Sequence, residues 1–502
     1  MKMSSRSLPA RRAVADYQLP WLRSRDGDPR VMQGVVDREH EVAFDRRELV
    51  DEPVAQGVLA LVDDELCEVP WQDQLAEVIA QFSRSTNRAC HRAVMTVLVG
   101  RGGWCVVRGR VGGRERMLLG MMVSGAPDAG ELLGTPLPHL VPERVVAVAS
   151  ALAGCAVAAY VLDVEGSFAL RLAGDMDRFP ERIRAPVGVG PEIIPEALPL
   201  LRALVSDHVG PCTLWPMVVR DRVMGFLLAR DRPRVDLEAF GGQAGVALEL
   251  ASGYTDAVHA VRRRKDTQPA AEIQQNLLPP RLARVSGADV AGGVLPGYDV
   301  GGDFFDYAGN ADGLWLVVAD ATGKGNSAAA LSSLAIGALR AARRAGAGLQ
   351  EAASLADEAI LSLDMHRYLT AVMGVWDAEG HRLRWINCGH PTPLILRADG
   401  RVDELDGERT YPLGMRFTQR MFPVLSAAVS VGDRLLLYSD GVSERRAGDG
   451  SRIGEDGLRA ILAELGPRSA AATVRGLQDA VITASPEPLR DDATLLVVAP
   501  HD

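Results

Sequence analysis

Four aspartates in the C-terminal half of the chain have the residue type and the sequence context of a metal site. Each stands at or beside the end of an apolar, strand-like run, with a glycine or another acid within a few residues; they are Asp303, Asp320, Asp440 and Asp491. At the end of a strand, a carboxylate and the neighbouring backbone can both reach one ion. Hard divalent cations such as Mg2+ and Mn2+ prefer oxygen ligands of this kind. Clustered carboxylates repel one another unless cations lie among them, so the pattern indicates a divalent metal site.

A site of this kind is suited to phosphoryl chemistry. Two divalent ions about 3.5–4 Å apart can hold a water between them, lower its pKa and clamp a phosphoryl group for in-line attack. Taken alone, Asp440-Gly441 is more simply explained as a turn, because Asp-Gly is a common turn sequence. His390 could protonate the leaving group, but we favour a structural histidine that closes the turn of its Asn-Cys-Gly-His-Pro block.

The segments around these aspartates predict the architecture that positions them. GLWLVVAD, RLLLYSD and ATLLVVAP have the composition of buried strands, and SAAALSSLAIGALRAARRAG that of a helix. Glu379-Gly380 lies between two further strand-like runs and predicts a hairpin. Strands joined by hairpins, with helices between the groups, favour antiparallel sheets in an α/β sandwich over a parallel doubly wound sheet.

The order of these blocks resembles that of the stage II sporulation protein E type of phosphatase, a bacterial branch of the metal-dependent PPM serine/threonine phosphatases. The resemblance extends over about residues 270–500, and it rests on the strings EIQQNLLPP, VGGDFFDY, VVADATGKGNSAAALS, NCGHPTPLIL, PLGM, GDRLLLYSDGVSE and RDDATLLVV. It implies a fold of the α/β (α+β) class: a C-terminal αββα sandwich of two antiparallel sheets flanked by helices. It also implies hydrolysis of phosphoserine by a water that bridges two Mn2+ or Mg2+ ions.

The resemblance further implies a role for each site residue. Asp320 would bridge both metals, and the backbone carbonyl of Ala321 would bind one of them. Asp440 and Asp491 would hold the second metal, and Asp303 would act at the first, directly or through water. Members of the family often have Gly or Val where this chain has Ala321. Because the ligand there is a carbonyl, we expect this difference to be harmless.

Further residues would support this set. Asp306 and Asp492 are expected to orient the metal ligands, as second-sphere groups commonly do. Gly323 and Gly325 would let the backbone turn sharply beneath the site.

The implied substrate is a phosphorylated STAS-type protein, an anti-sigma-factor antagonist. Two alternatives stay open. The chain could be a catalytically silent scaffold with a phosphatase fold, although all four aspartates are present. It could be an ATP-binding kinase of the same pathway, but Val318 stands where a P-loop requires glycine and Gly325 where it requires Ser or Thr.

Ahead of the phosphatase-like region, the sequence predicts a sensory arrangement. The stretch from Val157 to Pro233 contains two hairpin patterns, turning at Glu165-Gly166 and around Asp221, and its order resembles a GAF domain. A helical connector then runs into the EIQQNLLPP block, which the resemblance makes a switch segment. Because connector helices of this sort commonly pair, we expect a parallel homodimer. The predicted divisions are a poorly ordered leader at 1–55, a small domain of unclear type at 72–135, a GAF-like sensory domain at 140–255, the connector and switch segment at 256–280, and the phosphatase domain at 281–502.

Composition limits the partners and the compartment. The net charge of −10 and the pI of about 5.5 disfavour nucleic-acid binding. The six cysteines are scattered without a C-x-x-C pair, which predicts reduced thiols in a cytoplasmic protein. Residues 145–162 carry no charge but are mostly Ala and Val, and they predict a buried helix followed by a buried strand rather than a membrane span.

Overall fold

The computed structural model describes residues 129–501, except for 135–136, 265–267, 286, 297–301, 364–365 and 417–420, together with the backbone of several strands between Val31 and Met122. The chain divides into two compact units, Met1–Pro127 and Asp128–Asp502.

The first unit contains an antiparallel sheet. Its strands are β1 (Val31–Val36), β2 (Val42–Ala43), β3 (Val58–Val62), β4 (Glu65–Val69), β5 (Ala93–Gly100), β6 (Trp104–Val111) and β7 (Arg114–Met122). They pair in the order β2-β1-β5-β6-β7-β3-β4. The sheet therefore crosses the predicted boundary between the leader (1–55) and the small domain (72–135), because β1 pairs along its whole length with β5. The string WQDQLAEVIAQFSRS, residues 71–85, has a helical pattern and predicts a helix near the start of that small domain, but these residues lie outside the described residues.

The second unit begins with an α/β domain, residues 129–262. Its helices and strands are α1 (Ala129–Leu133), α2 (Val141–Ala153), β8 (Val157–Leu162), β9 (Phe168–Ala173), β10 (Arg182–Arg184), β11 (Gly188–Val189), β12 (Glu192–Ile193), α3 (Leu198–Val209), β13 (Thr213–Val219), β14 (Arg222–Ala229), α4 (Glu238–Ala251) and α5 (Ala257–Arg262). The antiparallel sheet has the order β10-β9-β8-β14-β12-β11, and β13 also pairs with β14. Both predicted hairpins are confirmed, β8–β9 and β13–β14.

The second part of the uncharged segment 145–162 is explained by burial on both sides of strand β8. Val157, Ala159 and Val161 pack in one hydrophobic cluster beneath α2 and α4, whereas Ala158 and Tyr160 pack in another, on the face that α3 covers. A strand buried on both faces has no position left for a charged residue. No helix in the described part of the chain is long and apolar enough to cross a membrane.

The connector departs from the prediction of one continuous helix. Helix α4 ends at Ala251, α5 is short, and α6 (Pro269–Leu277) begins anew after an extended residue, Gln268. Proline has no backbone N–H and disfavours helical geometry in the residue before it, so Pro269 starts a helix instead of continuing one. The predicted helical connector at 256–280 is therefore wrong as an unbroken helix, although residues 265–267 lie outside the described residues.

The C-terminal domain is a sandwich of two antiparallel sheets, as predicted. Its remaining elements are β15 (Leu282–Val285), β16 (Ala288–Leu295), β17 (Phe304–Asn310), β18 (Gly313–Ala321), α7 (Asn326–Arg344), α8 (Leu349–Ser362), β19 (Leu369–Asp377), β20 (Arg382–Cys388), β21 (Leu394–Leu396), β22 (Val402–Glu404), β23 (Leu425–Ala428), β24 (Arg434–Tyr438), α9 (Asp440–Ser443), α10 (Gly454–Leu465), α11 (Ala470–Thr483) and β25 (Ala493–Pro500). One sheet has the order β15-β16-β25-β24-β21-β22 and the other β17-β18-β19-β20-β23. Helices α7 and α8 pack on the second sheet, and α10 and α11 on the first.

Candidate metal centre

The two sheets bring the four predicted aspartates to one end of the sandwich. Asp303 directly precedes β17, and Asp320 lies near the end of the neighbouring strand β18. In the other sheet, Asp440 follows β24 and Asp491 precedes β25, its antiparallel neighbour. Since the end of one antiparallel strand lies beside the start of the next, each sheet contributes two aspartates at the same edge.

Asp303 joins the two sheets at the base of this site. Its carboxylate Oδ2 accepts hydrogen bonds from Ser439 Oγ and Thr494 Oγ1, both at 2.6 Å. Ser439 in turn accepts the backbone N–H of Thr494 at 2.9 Å. All three residues are buried, so these hydrogen bonds set the position of the deepest carboxylate. Sequence reasoning missed Ser439 and Thr494, although each lies within three residues of a predicted ligand.

Helix α6 is tied to the same base by a buried glutamine. Gln274 Nε2 donates to the backbone carbonyl of Asp303 at 3.0 Å and to Asp492 Oδ2 at 2.5 Å. Leu277 and Leu278 at the end of the helix pack against the main core. Asp492 is buried at the position predicted for a supporting residue. Gln274 lies within the EIQQNLLPP block, and its spacing alone could not have identified it.

The carboxylates perturb one another. Burial first, and then the charges of Asp320 and Asp492, raise the pKa of Asp303 well above its ordinary value. Burial and the charges of Asp440, Asp491 and Asp492 raise the pKa of Asp320 to about 7, although Asp303 lies close enough to share a hydrogen bond with it. Burial and Asp491 also raise the pKa of Asp440. Among the described residues, none of the four predicted ligands forms an ion pair with Lys or Arg.

The four aspartates differ in their exposure to solvent. Asp303 is buried, Asp320 is half-buried, and Asp440 and Asp491 are exposed at the rim. In the described part of the chain, no three acidic, histidine or cysteine side chains converge closely enough to hold an ion as they stand. The donor chemistry nevertheless fits divalent cations, because these are carboxylate oxygens that lack a compensating charge.

Asp306 has a different role from the one predicted. Its carboxylate accepts hydrogen bonds from Arg340 at 2.8 Å and Arg343 at 3.1 Å, so its charge is balanced. Arg340 also donates to the backbone carbonyl of Leu277 at 2.8 Å. Asp306 therefore helps hold the end of helix α6 against α7, and supports the site through that helix.

Two glycines allow the close backbone contacts that the site requires. Gly323, which the sequence placed in the turn after Asp320, has a positive φ of 99°. A side chain on Gly441 would place its Cβ 2.0 Å from the carbonyl oxygen of Asp492. Glycine at 441 therefore permits the chain at Asp440 to pack directly against the segment that carries Asp491 and Asp492.

His390 closes the turn of its Asn-Cys-Gly-His-Pro block, as predicted. Its backbone N–H donates to Asn387 Oδ1 at 2.8 Å, and Asn387 Nδ2 donates to its carbonyl at 2.9 Å, which closes the predicted turn. Burial lowers the pKa of His390 to about 3, so the ring is neutral near pH 7. Its Nδ1 lies 2.9 Å from Thr370 Oγ1.

Comparison with known proteins identifies this region. Residues 310–501 match the family described as Stage II sporulation protein E (SpoIIE), a range that contains Asp320, Asp440 and Asp491 but not Asp303. The phosphoserine phosphatase RsbU of Bacillus subtilis (strain 168) is 22% identical over 238 residues, which are 47% of this chain and 70% of RsbU. The C-terminal part of the chain is a SpoIIE-type phosphatase domain. Through this homology the chain is a protein serine/threonine phosphatase, and the kinase alternative is wrong.

Part of the chain is also similar to solved structures. The RsbU and RsbW domains of Rv1364c from Mycobacterium tuberculosis share 30% identity, with a TM-score of 0.39, over 43% of this chain and 63% of that chain, which is less than two thirds of its length. The catalytic domain of the serine/threonine phosphatase PstP, solved in complex with 2 manganese ions, shares 19% identity, with a TM-score of 0.34, over 43% of this chain and 99% of that one.

The α/β domain contacts the phosphatase domain through the hairpin β11–β12. Glu192, which is buried, accepts the backbone N–H groups of Arg281 at 3.0 Å and Leu282 at 2.8 Å. Its charge is paired with Arg222 of the α/β domain at 3.1 Å. Val189 of the same hairpin is buried in the hydrophobic cluster beneath helices α10 and α11. The hairpin thus meets the phosphatase domain just after helix α6.

Proposed function

We propose that this protein hydrolyses phosphoserine or phosphothreonine on a protein substrate with the help of two divalent cations, Mn2+ or Mg2+. Asp303, Asp320, Asp440, Asp491 and the carbonyl of Ala321 would hold the ions. The observation that carries the proposal is the meeting of these carboxylates at one edge of the sandwich, where they raise one another's pKa and lack basic partners among the described residues. A cation is the partner that such a set lacks.

When bound, the ions would supply a nucleophilic water at neutral pH and neutralise charge on the phosphoryl group. The residues of the chain prepare the place for this chemistry. Ser439 and Thr494 orient the Asp303 carboxylate, and Gln274 orients that of Asp492. The rim residues Asp440 and Asp491 are open to solvent, where a phosphoprotein can approach.

The substrate we propose is a phosphorylated STAS-type anti-sigma-factor antagonist in the cytoplasm. Similarity to RsbU, whose name describes a phosphoserine phosphatase, supports this choice of substrate class. We also propose that the protein forms a homodimer.

Regulation is proposed to come from the α/β domain, interpreted as a GAF-like sensory domain. Support comes from the contact between Glu192 and the backbone of Arg281 and Leu282. Arg281 also donates through Nη2 to Gln275 Oε1 at 2.6 Å, and Gln275 adjoins the glutamine that holds Asp303 and Asp492. A movement of the β11–β12 hairpin would therefore reach helix α6 through short contacts, without the unbroken connector helix that the sequence predicted.

The proposed function is tested by hydrolysis of p-nitrophenyl phosphate and of a phosphoserine peptide by the full chain. We expect activity with Mn2+ or Mg2+ and none after treatment with EDTA. Asp207→Asn, which changes an exposed acid on helix α3, should keep this activity, and it serves as the control for loss of a negative charge outside the metal centre. Activity that persists in EDTA contradicts the metal mechanism. Absence of activity with every metal, from a folded protein, would instead favour the catalytically silent scaffold.

A further inference from the structure

Two basic residues lie at the turn that follows Asp320: Lys324 is part of the turn, and Arg367 contacts it. Arg367 Nη1 donates to the backbone carbonyl of Thr322 at 2.9 Å, and Lys324 Nζ donates to the backbone carbonyl of Arg490 at 2.6 Å. Arg490 directly precedes Asp491, so the turn carrying Lys324 lies between two of the proposed metal ligands. Neither basic residue had a role in the sequence predictions.

The backbone is built to hold Arg367 in this place. Thr322 and Tyr368 exchange hydrogen bonds, with Thr322 N–H donating to the Tyr368 carbonyl at 3.0 Å and Tyr368 N–H donating to Thr322 Oγ1 at 3.2 Å. A side chain on Gly323 would place its Cβ 2.1 Å from Arg367 Nη1. The glycine therefore leaves the space that the guanidinium occupies, and any other residue at 323 would displace it.

The charges of Arg367 and Lys324 are not balanced by carboxylates in the described part of the chain. Other cations near the site are paired: Arg340 and Arg343 with Asp306, Arg452 with Glu444, and Arg490 with Glu487. Among the described residues, Arg367 and Lys324 each donate only to a backbone carbonyl, which uses one of five guanidinium N–H groups and one of three ammonium N–H groups. Most of their donors thus remain available beside the acidic rim.

An oxyanion is the ligand that these donors suit. A cluster of carboxylates repels a phosphate dianion, whereas an arginine presents a planar fork of donors that matches two phosphate oxygens. Lysine adds a compact positive charge on a flexible stem. Arg367 is half-buried and held in place, and Lys324 is exposed, so one can fix the phosphoryl group while the other adapts to it.

We propose that Arg367 and Lys324 form an anion subsite that binds the phosphoryl group of the substrate next to the metal centre. This inference rests on the proposed function, because it names how that site recognises its substrate. The subsite commits the site to phosphate monoester anions, and it accounts for the two positive charges at the 322–325 turn that no carboxylate balances among the described residues.

Binding of inorganic phosphate to the Mn2+-treated full chain, measured by calorimetry, tests the subsite. Arg367→Gln retains a donor for the Thr322 carbonyl but removes the charge. We expect it to weaken phosphate binding about tenfold to a hundredfold, and Lys324→Gln to weaken it less. Arg344→Gln is the matched control: an exposed arginine at the far end of helix α7, about 27 Å along the helix from its start, which should leave phosphate affinity unchanged.

Mn2+ affinity, measured by calorimetry on the same variants, separates recognition from support of the turn. Unchanged Mn2+ affinity with weakened phosphate binding supports the subsite. Unchanged phosphate affinity, a parallel loss of Mn2+ affinity, or no phosphate binding by the parent protein overturns it. If Arg367→Gln does not fold, Lys324→Gln, at an exposed position, decides by the same criteria. Metal-dependent hydrolysis by the parent, with phosphate affinity insensitive to both changes, leaves the proposed function standing and removes only this subsite.

Discussion

Two buried aspartates, one in each domain, show how differently the two domains treat charge. Asp163, in the α/β domain, accepts the backbone N–H groups of Ser167 at 2.7 Å and Phe168 at 2.9 Å, and its other oxygen lies 2.6 Å from Arg264. It closes the β8–β9 hairpin and has a positive partner. Asp303, in the phosphatase domain, is as well buried but faces other carboxylates.

The difference separates a charge that stabilises the fold from one that is kept for a ligand. A buried carboxylate with hydrogen bonds and an arginine contributes to stability, and its removal leaves the partners unsatisfied. A carboxylate among like charges lowers stability until a cation is present. Substitution of an aspartate at the metal centre should therefore lower activity and raise the stability of the metal-free protein, whereas substitution of Asp163 should lower stability and leave hydrolysis in place.

The largest effect is expected from Asp320→Asn. It removes the central negative charge while keeping the shape, so Mn2+-dependent hydrolysis of p-nitrophenyl phosphate should fall by more than about a hundredfold. Without metal, the melting temperature should rise, because one of several repelling charges is gone. Asp163→Asn is the matched comparison, and it should lower the melting temperature while hydrolysis of the small substrate persists. If both variants lost stability alike, the contrast between the domains would be refuted.

A smaller loss is expected from Gln274→Leu, which preserves the size of the side chain but removes its hydrogen bonds to Asp303 and Asp492. Loss of a group that orients metal ligands commonly costs about ten- to a hundredfold in metal affinity or activity. Mn2+ titration by calorimetry measures the effect. Asn276→Leu, at an exposed position on the same helix, is the control. Equal loss of Mn2+ affinity in both would mean that the helix matters only for packing.

The sequence predicts the strands well, and the four aspartates lie at strand ends at one edge of the sandwich, while their role as metal ligands stays a prediction. It could not predict Ser439, Thr494 or Gln274, because their partners lie in other strands and helices, far along the chain. It also predicts that Asp306 orients the metal ligands, whereas Arg340 and Arg343, one helical turn apart on α7, bind its carboxylate. Pro269 marks the break in the connector, although the helical periodicity on either side of it favours a continuous helix.

The pH dependence of stability offers a further test of the same contrast. The pKa of Asp320 is raised to about 7 in the folded protein, from about 4 in an unfolded chain. Between these values the folded state holds the proton more tightly, so in metal-free protein stability should fall as the pH rises from about 4 to 7. Thermal unfolding in EDTA across this range measures it. The slope should be smaller in Asp320→Asn, and a stability that rises with pH through this window in EDTA would contradict the raised pKa.

The smallest effect on hydrolysis is expected from substitutions of Glu192. These substitutions test the proposed regulation most directly. Glu192→Ala removes the acceptor for two backbone N–H groups of the phosphatase domain and leaves Arg222 with Glu249 as its remaining carboxylate. Glu192→Gln is the conservative comparison, because an amide oxygen can still accept one of those N–H groups while the charge is lost. If the hairpin transmits a signal through Arg281 and Gln275, the alanine variant should alter Mn2+ affinity by a few-fold and the glutamine variant by less, since mutations along a coupling route commonly change it by about 0.5–2 kcal/mol. Hydrogen exchange of helix α6 should change in the same order. A contact that only fastens the two domains would lower the melting temperature of the alanine variant but leave the Mn2+ affinity and the exchange of α6 as they were, and the route through the hairpin would then have to be abandoned.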